Sequence, residues 1–475
     1  MKQFQFADLH CHPTLKAFGK SFSKSKKSSS IWHYNPPNFF TKLIQKLTGI
    51  TKFSQADFCT MTKGNIKIAF VSFYPFEKGF FKNSSLNNKI VAVIASFITS
   101  IGYKRVRYIQ KHQNYFEDLI EEYIFLMNSK KTFNYKNEKF CWKFFTASES
   151  FTSSQENEVL VVPTIEGAHV FNSGLTEYGR QLNEREILNN IQKVKSLKYP
   201  PVFITFAHNF NNDFCGHAPS LEPLKGLVNQ SKNLDIGFTT LGYKVIDQLL
   251  KGNSQNRILI DLKHMSLQSR LEYYRLLDTK YNNDIPIIVS HGAVTGRNLN
   301  GKSNSSLNPE YFANDTINFY DEELIYIARS KGMFAVQLDS KRLAPQNLIK
   351  KPLGNRNKDK ALANSALIVW RQIQHVAEIL DAAGLPAWET CCIGSDFDGT
   401  INPLNEIWTS EDFNKMANKL LEFASDYLKN PNTLTLVENK TINPEVLVSN
   451  FCIHNTCKFL NQRQEIDVRD YVFLS

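Results

Sequence analysis

The chain has 475 residues, of which 42% are hydrophobic and 21% charged, a composition typical of a globular protein with a sizeable core. Its longest apolar run, from Ile90 to Gly102, is too short to span a bilayer, which excludes a transmembrane segment and predicts a buried helix instead. The formal net charge is +11, and residues 1–100 account for all of this excess, with 14 Lys, no Arg and 3 acidic residues.

The lysine excess in residues 1–100 has two interpretations. A cationic surface would attract acidic substrates, anionic lipids or nucleic acid, whereas a lysine-rich loop such as KSFSKSKKSSS from Lys20 needs only solvent. We favour the solvated loop and expect no nucleic-acid partner. The segment FFTKLIQKLTGI from Phe39 is weakly amphipathic, and we favour a helix packed on the protein body over one lying on a membrane.

Eight short apolar or β-branched runs recur along the chain, each followed by a stretch with helical character. In chain order they are QFQFADLH from Gln3, IKIAFVSFYP from Ile66, VLVVPTIEG from Val159, PVFITFAHN from Pro201, RILIDLKHMS from Arg257, IPIIVSHG from Ile285, GMFAVQLDS from Gly332 and CCIGSDFDG from Cys391. Apolar strands that alternate with helices predict a parallel sheet covered by helices. Eight such units predict an α/β fold, the closed (β/α)8 TIM barrel.

Three connections are too long for simple strand-to-helix loops. They lie at about residues 13–65, 76–158 and 292–320, after the first, second and sixth strands. We expect one domain spanning residues 1–475, with these insertions at the carboxyl ends of the strands, where a barrel carries its active site.

Side chains that can bind metals occur at the carboxyl ends of the predicted strands. His10 and His12 are two residues apart in the first strand, so their side chains face the same way. Taken singly, each such residue is best interpreted as a polar residue near a strand end whose hydrogen bonds are satisfied. Because all these ends meet at one rim, the whole set predicts a metal site. Its other members are Glu166, His208, His264, His291 and Asp396.

The chemistry of this set favours two metal ions over one. Two histidines from one strand, a central glutamate and two histidines from later strands supply five ligands, too many for one tetrahedral ion that keeps an open position. Two ions roughly 3.5 to 4 Å apart, bridged by Glu166, would use them all. A hydroxide bridging the two metals would be a strong nucleophile, and Asp396 could handle its proton.

The motifs around these residues resemble those of a known family. DLHCHPT, PTIEGAH, FITFAHN, ILIDLKHMS, IIVSHGAV and CIGSDFDG occur in the order typical of the renal (membrane) dipeptidase family, peptidase family M19, within the metal-dependent amidohydrolase superfamily. The resemblance extends from Asp8 to about Asn455. It implies a binuclear zinc peptidase in which the following residues have the family's roles: His10, His12 and Glu166 hold the first ion; Glu166, His264 and His291 hold the second; His208 faces the substrate; and Asp396 is catalytic.

Two features depart from the family pattern. The first strand carries H-x-H where the family has H-x-D, which makes the ligand set less negative by one unit and leaves the metal preference open. The family's substrate-binding Arg after the last His ligand has no clear match, and Arg297 or Lys302 are the candidates to replace it.

The resemblance implies a dipeptidase that hydrolyses the amide bond of small dipeptides. The residues leave open a related hydrolase of another amide, a lactone or an ester, and a barrel that binds metal without catalysis. The sequence leaves the oligomeric state open, and a homodimer is one possibility. We expect a cytoplasmic protein with reduced cysteines, because residues 1–9 hold no signal-peptide core and the 8 Cys have no regular spacing.

Overall fold

The computed structural model describes residues 1–23, 28–82, 86–146, 156–221, 228–349, 357–399 and 401–463. The strands in these ranges are β1 Phe6–Cys11, β2 Ile66–Phe73, β3 Thr132–Tyr135, β4 Glu138–Phe144, β5 Glu158–Glu166, β6 Phe203–Thr205, β7 Leu259–Asp261, β8 Ile288–Gly292, β9 Met333–Val336 and β10 Cys391–Ile393. The α-helices are α1 Leu15–Ser21, α2 Phe39–Thr48, α3 Phe58–Lys63, α4 Asn88–Thr99, α5 Tyr103–Lys111, α6 Tyr115–Met127, α7 Glu184–Lys195, α8 Thr240–Leu250, α9 Leu267–Lys280, α10 Asp321–Arg329, α11 Ser340–Leu343, α12 Lys358–Ala382, α13 Phe413–Lys429, α14 Val437–Thr441, α15 Pro444–Ser449 and α16 Asn455–Arg463.

Eight parallel strands form the barrel in the order β1-β2-β5-β6-β7-β8-β9-β10, which confirms the predicted TIM-barrel fold. The chain after β10 meets β1 and closes the ring. There the His12 amide donates to the Phe397 carbonyl at 2.9 Å, and the Asp396 amide donates to the His10 carbonyl at 2.9 Å. Every residue of β1, β2 and β5 is buried, as expected for strands between a filled interior and a layer of helices.

Two buried aspartates join neighbouring strands close to the rim. Asp8 of β1 accepts a hydrogen bond from the Ser395 amide at 2.8 Å. Asp261 of β7 accepts from the Thr205 hydroxyl at 2.5 Å and from the Ser290 hydroxyl at 2.6 Å, which links β6, β7 and β8. These contacts satisfy polar groups inside the barrel and hold the strand ends in register.

The three long insertions follow β1, β2 and β8, the sixth strand of the barrel, as predicted. The first carries α1 to α3, the second α4 to α6, and the third is largely irregular. Residues 24–27 in the middle of the lysine-rich segment lie outside the described part of the chain. The hairpin of β3 and β4 was not predicted from the sequence. In it Phe140, Trp142 and Phe144 alternate with less buried residues, and β4 pairs in parallel with the first half of β5.

A buried ion pair fixes the third insertion to the barrel. Arg270 of α9 and Glu323 of α10 are both fully buried, with Nε 2.7 Å from Oε1. The same guanidinium donates to the Thr316 carbonyl at 3.1 Å and to the Asn318 carbonyl at 3.0 Å. One side chain therefore joins two helices and the insertion between β8 and α10.

The apolar run from Ile90 forms a helix, α4, but the prediction that this helix is buried is wrong for one of its faces. Val91, Ala92 and Ala95 are buried, whereas Val93 is 60% exposed and Phe97 is 55% exposed. Among the described residues, no helix combines the length and the apolarity needed to cross a membrane.

Candidate metal centre

The structure brings the seven predicted metal-site residues to one rim of the barrel. Each belongs to the carboxyl end of a strand or to the first residues after it. All except Asp396 are buried, and the Asp396 side chain is 15% exposed, which makes it the most accessible of the set. In chain order they are His10, His12, Glu166, His208, His264, His291 and Asp396.

One half of the cluster is formed by β1, with carboxylates from β5 and from the loop after β10. The Nε2 atoms of His10 and His12 are 3.0 Å apart. They lie 3.4 Å and 3.2 Å from the two carboxylate oxygens of Glu166. Asp396 Oδ1 completes this half, at 3.5 Å from His12 Nε2 and 3.9 Å from His10 Nε2.

The other half surrounds a single oxygen of the same carboxylate. Glu166 Oε1 lies 3.5 Å from Nε2 of His208, 3.7 Å from Nε2 of His291 and 3.9 Å from Nε2 of His264. The Nε2 atoms of His264 and His291 are 3.3 Å apart. Glu166 therefore stands between two groups of imidazoles, the position that a bridging carboxylate requires.

These spacings fit metal ligation. Two ligand atoms that each lie about 2.1 Å from one tetrahedral ion are about 3.4 Å apart. Three triplets of potential ligand atoms lie within 4.8 Å of one another, namely His10–Glu166–His291, His10–His12–Asp396 and Glu166–His208–His264. Nitrogen and carboxylate ligands suit zinc and similar borderline ions. The centre offers seven donor groups, two more than the resemblance assigns.

Hydrogen bonds on the far side of two rings orient their Nε2 atoms toward the cluster. His12 Nδ1 lies 3.1 Å from the Ser72 carbonyl, which can only accept, so this nitrogen carries the proton. His291 Nδ1 lies 2.8 Å from the Ser290 hydroxyl, which also donates to Asp261. Outer partners of this kind fix the tautomer and orientation of a metal-binding histidine.

The electrostatics of the cluster favour a cation. Burial opposes the protonation of His12, but the Glu166 and Asp396 carboxylates outweigh it and raise the pKa of His12 to about 10. Burial also opposes the charge of Glu166, yet His208, His12 and His10 hold its pKa well below the usual value. The pKa of His264 is well below its ordinary value because of burial and the nearby His208, so this ring stays in the neutral form that binds metals.

Backbone conformations that favour glycine occur at two of the seven residues. His264 has a φ of 67° and Asp396 a φ of 57°. Non-glycine residues rarely adopt such values, and those that do cluster at functional sites. Gly167, which follows Glu166, has a φ of 91°, and a Cβ there would lie 2.3 Å from Nδ1 of His169. The sharp turn after the central glutamate therefore requires glycine.

Glu77 is a buried carboxylate at this site that the sequence analysis missed. His208 Nδ1 donates to Glu77 Oε2 at 2.5 Å, and the Tyr74 hydroxyl donates to the same oxygen at 3.0 Å. Together with Glu166, Glu77 raises the pKa of His208 against the opposing effect of burial. Glu77 lies four residues after β2, so the search of strand ends that found Glu166 could have found it.

Lys263 is a second residue that the sequence analysis missed. Its side chain is buried, and its ammonium has no hydrogen-bond partner among the described residues. Burial, reinforced by the charge of Arg342, lowers the pKa of Lys263 to about 7. Arg342 also acts electrostatically on His264, which places a second basic group near the cluster.

Arg297, the predicted substrate-binding residue, is bound to the third insertion. Its guanidinium donates to Glu310 at 2.6 Å and to the Thr295 carbonyl at 3.2 Å. Lys302, the alternative, is exposed on the same insertion. The side-chain hydrogen bonds described for Arg297 are within this insertion, and none is with the seven cluster residues.

Comparison with known proteins identifies the fold. The sequence matches no family model and no curated protein. Among solved structures, the chain aligns with dipeptidase AC, a metallo peptidase of family M19, over 98% of its own length and 99% of that chain, with a TM-score of 0.50 and 12% identity. The chain has the fold of a family M19 metallo-dipeptidase.

Two further solved structures align with the chain. A metallo peptidase from Rhodobacter sphaeroides, bound to a phosphinate mimic of the dipeptide L-Ala-D-Ala, has 12% identity and a TM-score of 0.49; the alignment covers 97% of this chain and 100% of that one. The probable dipeptidase PvdM from Pseudomonas aeruginosa has 12% identity and a TM-score of 0.46, with 87% and 89% covered.

Proposed function

We propose that this chain is a metal-dependent hydrolase of the M19 dipeptidase family that binds two divalent ions, with zinc expected, and hydrolyses small dipeptides. The observation that carries the proposal is the convergence of five imidazoles and two carboxylates at the rim of a TIM barrel. Their nitrogen and oxygen atoms are separated by the distances expected for ligands of a shared metal ion. The motif order in the sequence and the fold shared with dipeptidase AC support the peptidase assignment.

In this proposal Glu166 is shared between two ions. His10 and His12 complete the first site, and His264 and His291 complete the second. The bound ions would polarise the scissile carbonyl and lower the pKa of an attacking water toward neutrality. The protein's contribution is to hold the five ligand groups at fixed spacing in a buried site, with outer hydrogen bonds setting the orientation of His12 and His291.

His208 stabilises the oxyanion that develops as the amide carbonyl is attacked. Its Nδ1 is held by Glu77, so Nε2 is the nitrogen that faces the cluster, 3.5 Å from Glu166. A protonated imidazole in this position donates a hydrogen bond to negative charge that appears only in the transition state. Glu77 favours that protonated form.

Asp396 moves the proton. It is the most exposed member of the cluster and lies beside His12, so it can reach both the attacking water and a substrate entering from the rim. It accepts the proton of the water and delivers it to the leaving amine, which is general acid–base catalysis by one carboxylate.

Lys263 is our candidate to recognise the substrate carboxylate in the absence of the family's Arg. It has a buried ammonium without a hydrogen-bond partner among the described residues, whereas Arg297 is bound to Glu310. An ammonium is a point charge and lacks the bidentate geometry of a guanidinium. We therefore expect carboxylate recognition that is present but weak.

A second candidate is a hydrolase of another amide, a lactone or an ester with the same metal chemistry. Two observations favour it: His12 replaces the family's aspartate at the first strand, and Arg297 faces Glu310 and not the cluster. A non-catalytic metal-binding barrel is disfavoured, because Asp396 and all five ligands are retained.

Elemental analysis and a substrate panel test the proposal. We expect about two divalent ions per chain after reconstitution with zinc, and turnover of free dipeptides. The kcat/KM for a dipeptide should exceed that for its C-terminal amide by less than about 10²-fold, and Lys263→Met should abolish this preference while Lys302→Met leaves it unchanged. One ion or none would reject the binuclear centre. Two ions without turnover of any dipeptide would favour the second candidate.

A further inference from the structure

Helix α2 packs on the protein through its polar side. Gln45 is buried and donates to Asn402, and the ammonium groups of Lys42 and Lys46 lie 5.5 Å and 5.8 Å from the ring centre of Trp408. Three apolar residues of the helix, Phe39, Phe40 and Leu47, are exposed at 74%, 72% and 63%, while Leu43 and Ile44 are half-buried. This is the reverse of a surface helix in a globular protein, which buries its apolar face.

Helix α4, in the insertion after β2, presents a second apolar face to the outside. Its exposed residues recur at the three- and four-residue spacing of one helix face, and its small residues, including Ala92 and Ala95, pack inward. The two-helix surface is defined by the exposed apolar side chains of α2 and α4: Phe39, Phe40, Leu47, Ile90, Val93, Ile94 and Phe97.

Lys52 joins the two helices. It lies four residues after α2 ends, and its ammonium stands 3.8 Å from the centre of the Phe97 ring of α4. It also donates to the Phe97 carbonyl. Four residues span at most about 14 Å, so the Cα atoms of Lys52 and of Thr48, the last residue of α2, lie within that distance of each other, and the Lys52 side chain contacts α4 directly.

Exposed negative charge is missing from the part of the chain that builds this surface. Residues 9–116 contain 17 basic residues and only two acidic ones, Asp57 and Glu77. Both carboxylates are buried, at 5% and 3% exposure. Lys89 and Lys104, on α4 and α5, are exposed. Residues 9–116 therefore combine apolar and cationic side chains with no exposed carboxylate of their own.

We propose that the two-helix surface docks on an anionic lipid bilayer. The two helices would lie in the plane of the interface with their apolar side chains at the boundary between headgroups and acyl chains, and the surrounding lysines would contact lipid phosphates. Binding a second copy of the chain through the same surface would bring two cationic patches together, which is unfavourable. Binding nucleic acid would leave the exposed Phe, Ile, Val and Leu side chains unused.

Co-sedimentation of the full chain with vesicles tests the proposal. We expect binding to vesicles of phosphatidylcholine and phosphatidylglycerol in equal parts to be at least about tenfold tighter than binding to phosphatidylcholine alone, and to weaken with added salt. Absence of binding to the anionic vesicles at low salt would overturn the proposal, as would equal binding to both kinds.

Matched variants locate the contact. The double variant Val93→Ser/Ile94→Ser should weaken binding to anionic vesicles about tenfold. The control Val437→Ser/Val446→Ser alters exposed apolar side chains outside the two-helix surface and should have no effect. Equal losses in the two double variants would overturn the proposal.

A charge reversal tests the electrostatic part. Lys89→Glu should weaken binding to the anionic vesicles, whereas Lys360→Glu, at an exposed lysine at the start of α12, should not.

Light scattering without lipid measures the oligomeric state and provides the remaining control. If the wild-type chain dimerises, fails to bind vesicles and becomes monomeric in the Val93→Ser/Ile94→Ser variant, a second copy is the occupant and the lipid proposal is wrong. Unchanged thermal unfolding of the variants would show that lost binding is not lost folding.

Discussion

Replacing Glu77 by Gln tests whether an outer carboxylate controls His208, the residue that we propose stabilises the oxyanion. Glu77 is buried, and both of its oxygens are used: Oε2 accepts from His208 Nδ1 at 2.5 Å, and Oε1 accepts from the Phe210 amide at 3.1 Å. Glutamine has the same shape and keeps one oxygen as an acceptor, so the change removes the negative charge with little effect on packing. Because Glu77 favours the protonated form of His208, its loss should leave the ring neutral and misoriented.

The size of the effect follows from the type of bond. A buried hydrogen bond to a charged group contributes about 1.5 to 3 kcal/mol, which corresponds to roughly a 10- to 100-fold change in rate. We expect Glu77→Gln to lower kcat/KM by about this factor, mainly through kcat, since the oxyanion forms only in the transition state. The metal content should be unchanged, because Glu77 contacts His208 and not the five assigned ligands.

A double-mutant cycle is the appropriate assay. If Glu77 acts through His208, the double variant Glu77→Gln/His208→Ala should be no slower than His208→Ala alone. Glu122→Gln is the matched control, because Glu122 is a buried carboxylate that accepts from the Tyr74 amide at 3.0 Å and contacts no histidine among the described residues. Losses that multiply in the double variant would refute the reasoning, and so would an equal loss of activity in Glu122→Gln.

Four further predictions concern the metals, the proton, the fold and pH. His264→Ala should lose mainly one of two ions by elemental analysis, because the first site keeps its own ligands. Asp396→Asn should retain both ions and lower kcat by roughly 10²-fold or more; loss of metal would make Asp396 a ligand. Arg270→Met should lower the free energy of unfolding in denaturant by about 3 to 5 kcal/mol, since it leaves Glu323 buried without its partner. Burial raises the pKa of Glu122 from 4.5 to about 7, so the folded state holds a proton that the unfolded chain has released. This group should therefore lower the free energy of unfolding by on the order of 3 kcal/mol as pH rises from about 4.5 to 7. Over the same pH range, the melting temperature should decrease less in Glu122→Gln than in the wild-type chain.

The sequence by itself predicted the barrel and the seven residues that meet at its rim. Eight apolar runs separated by helical stretches allow few arrangements other than a parallel barrel, and in that arrangement all the strand ends meet at one rim. The strand pattern alone therefore places residues as far apart in the chain as His10 and Asp396 side by side. Their spacing, 3.9 Å between Nε2 and Oδ1, follows from the closure of the ring between β1 and the chain after β10.

Only the tertiary structure decided which surfaces pack against each other. Helical periodicity shows that α2 is amphipathic, but which face is buried depends on the partner, and here Asn402 and Trp408 contact its polar side. The proposed roles of Glu77 and Lys263 could not be predicted for the same reason, because the groups that surround these residues come from distant segments of the chain. Local sequence specifies the period of an element, whereas burial and charge environment are properties of the assembled fold.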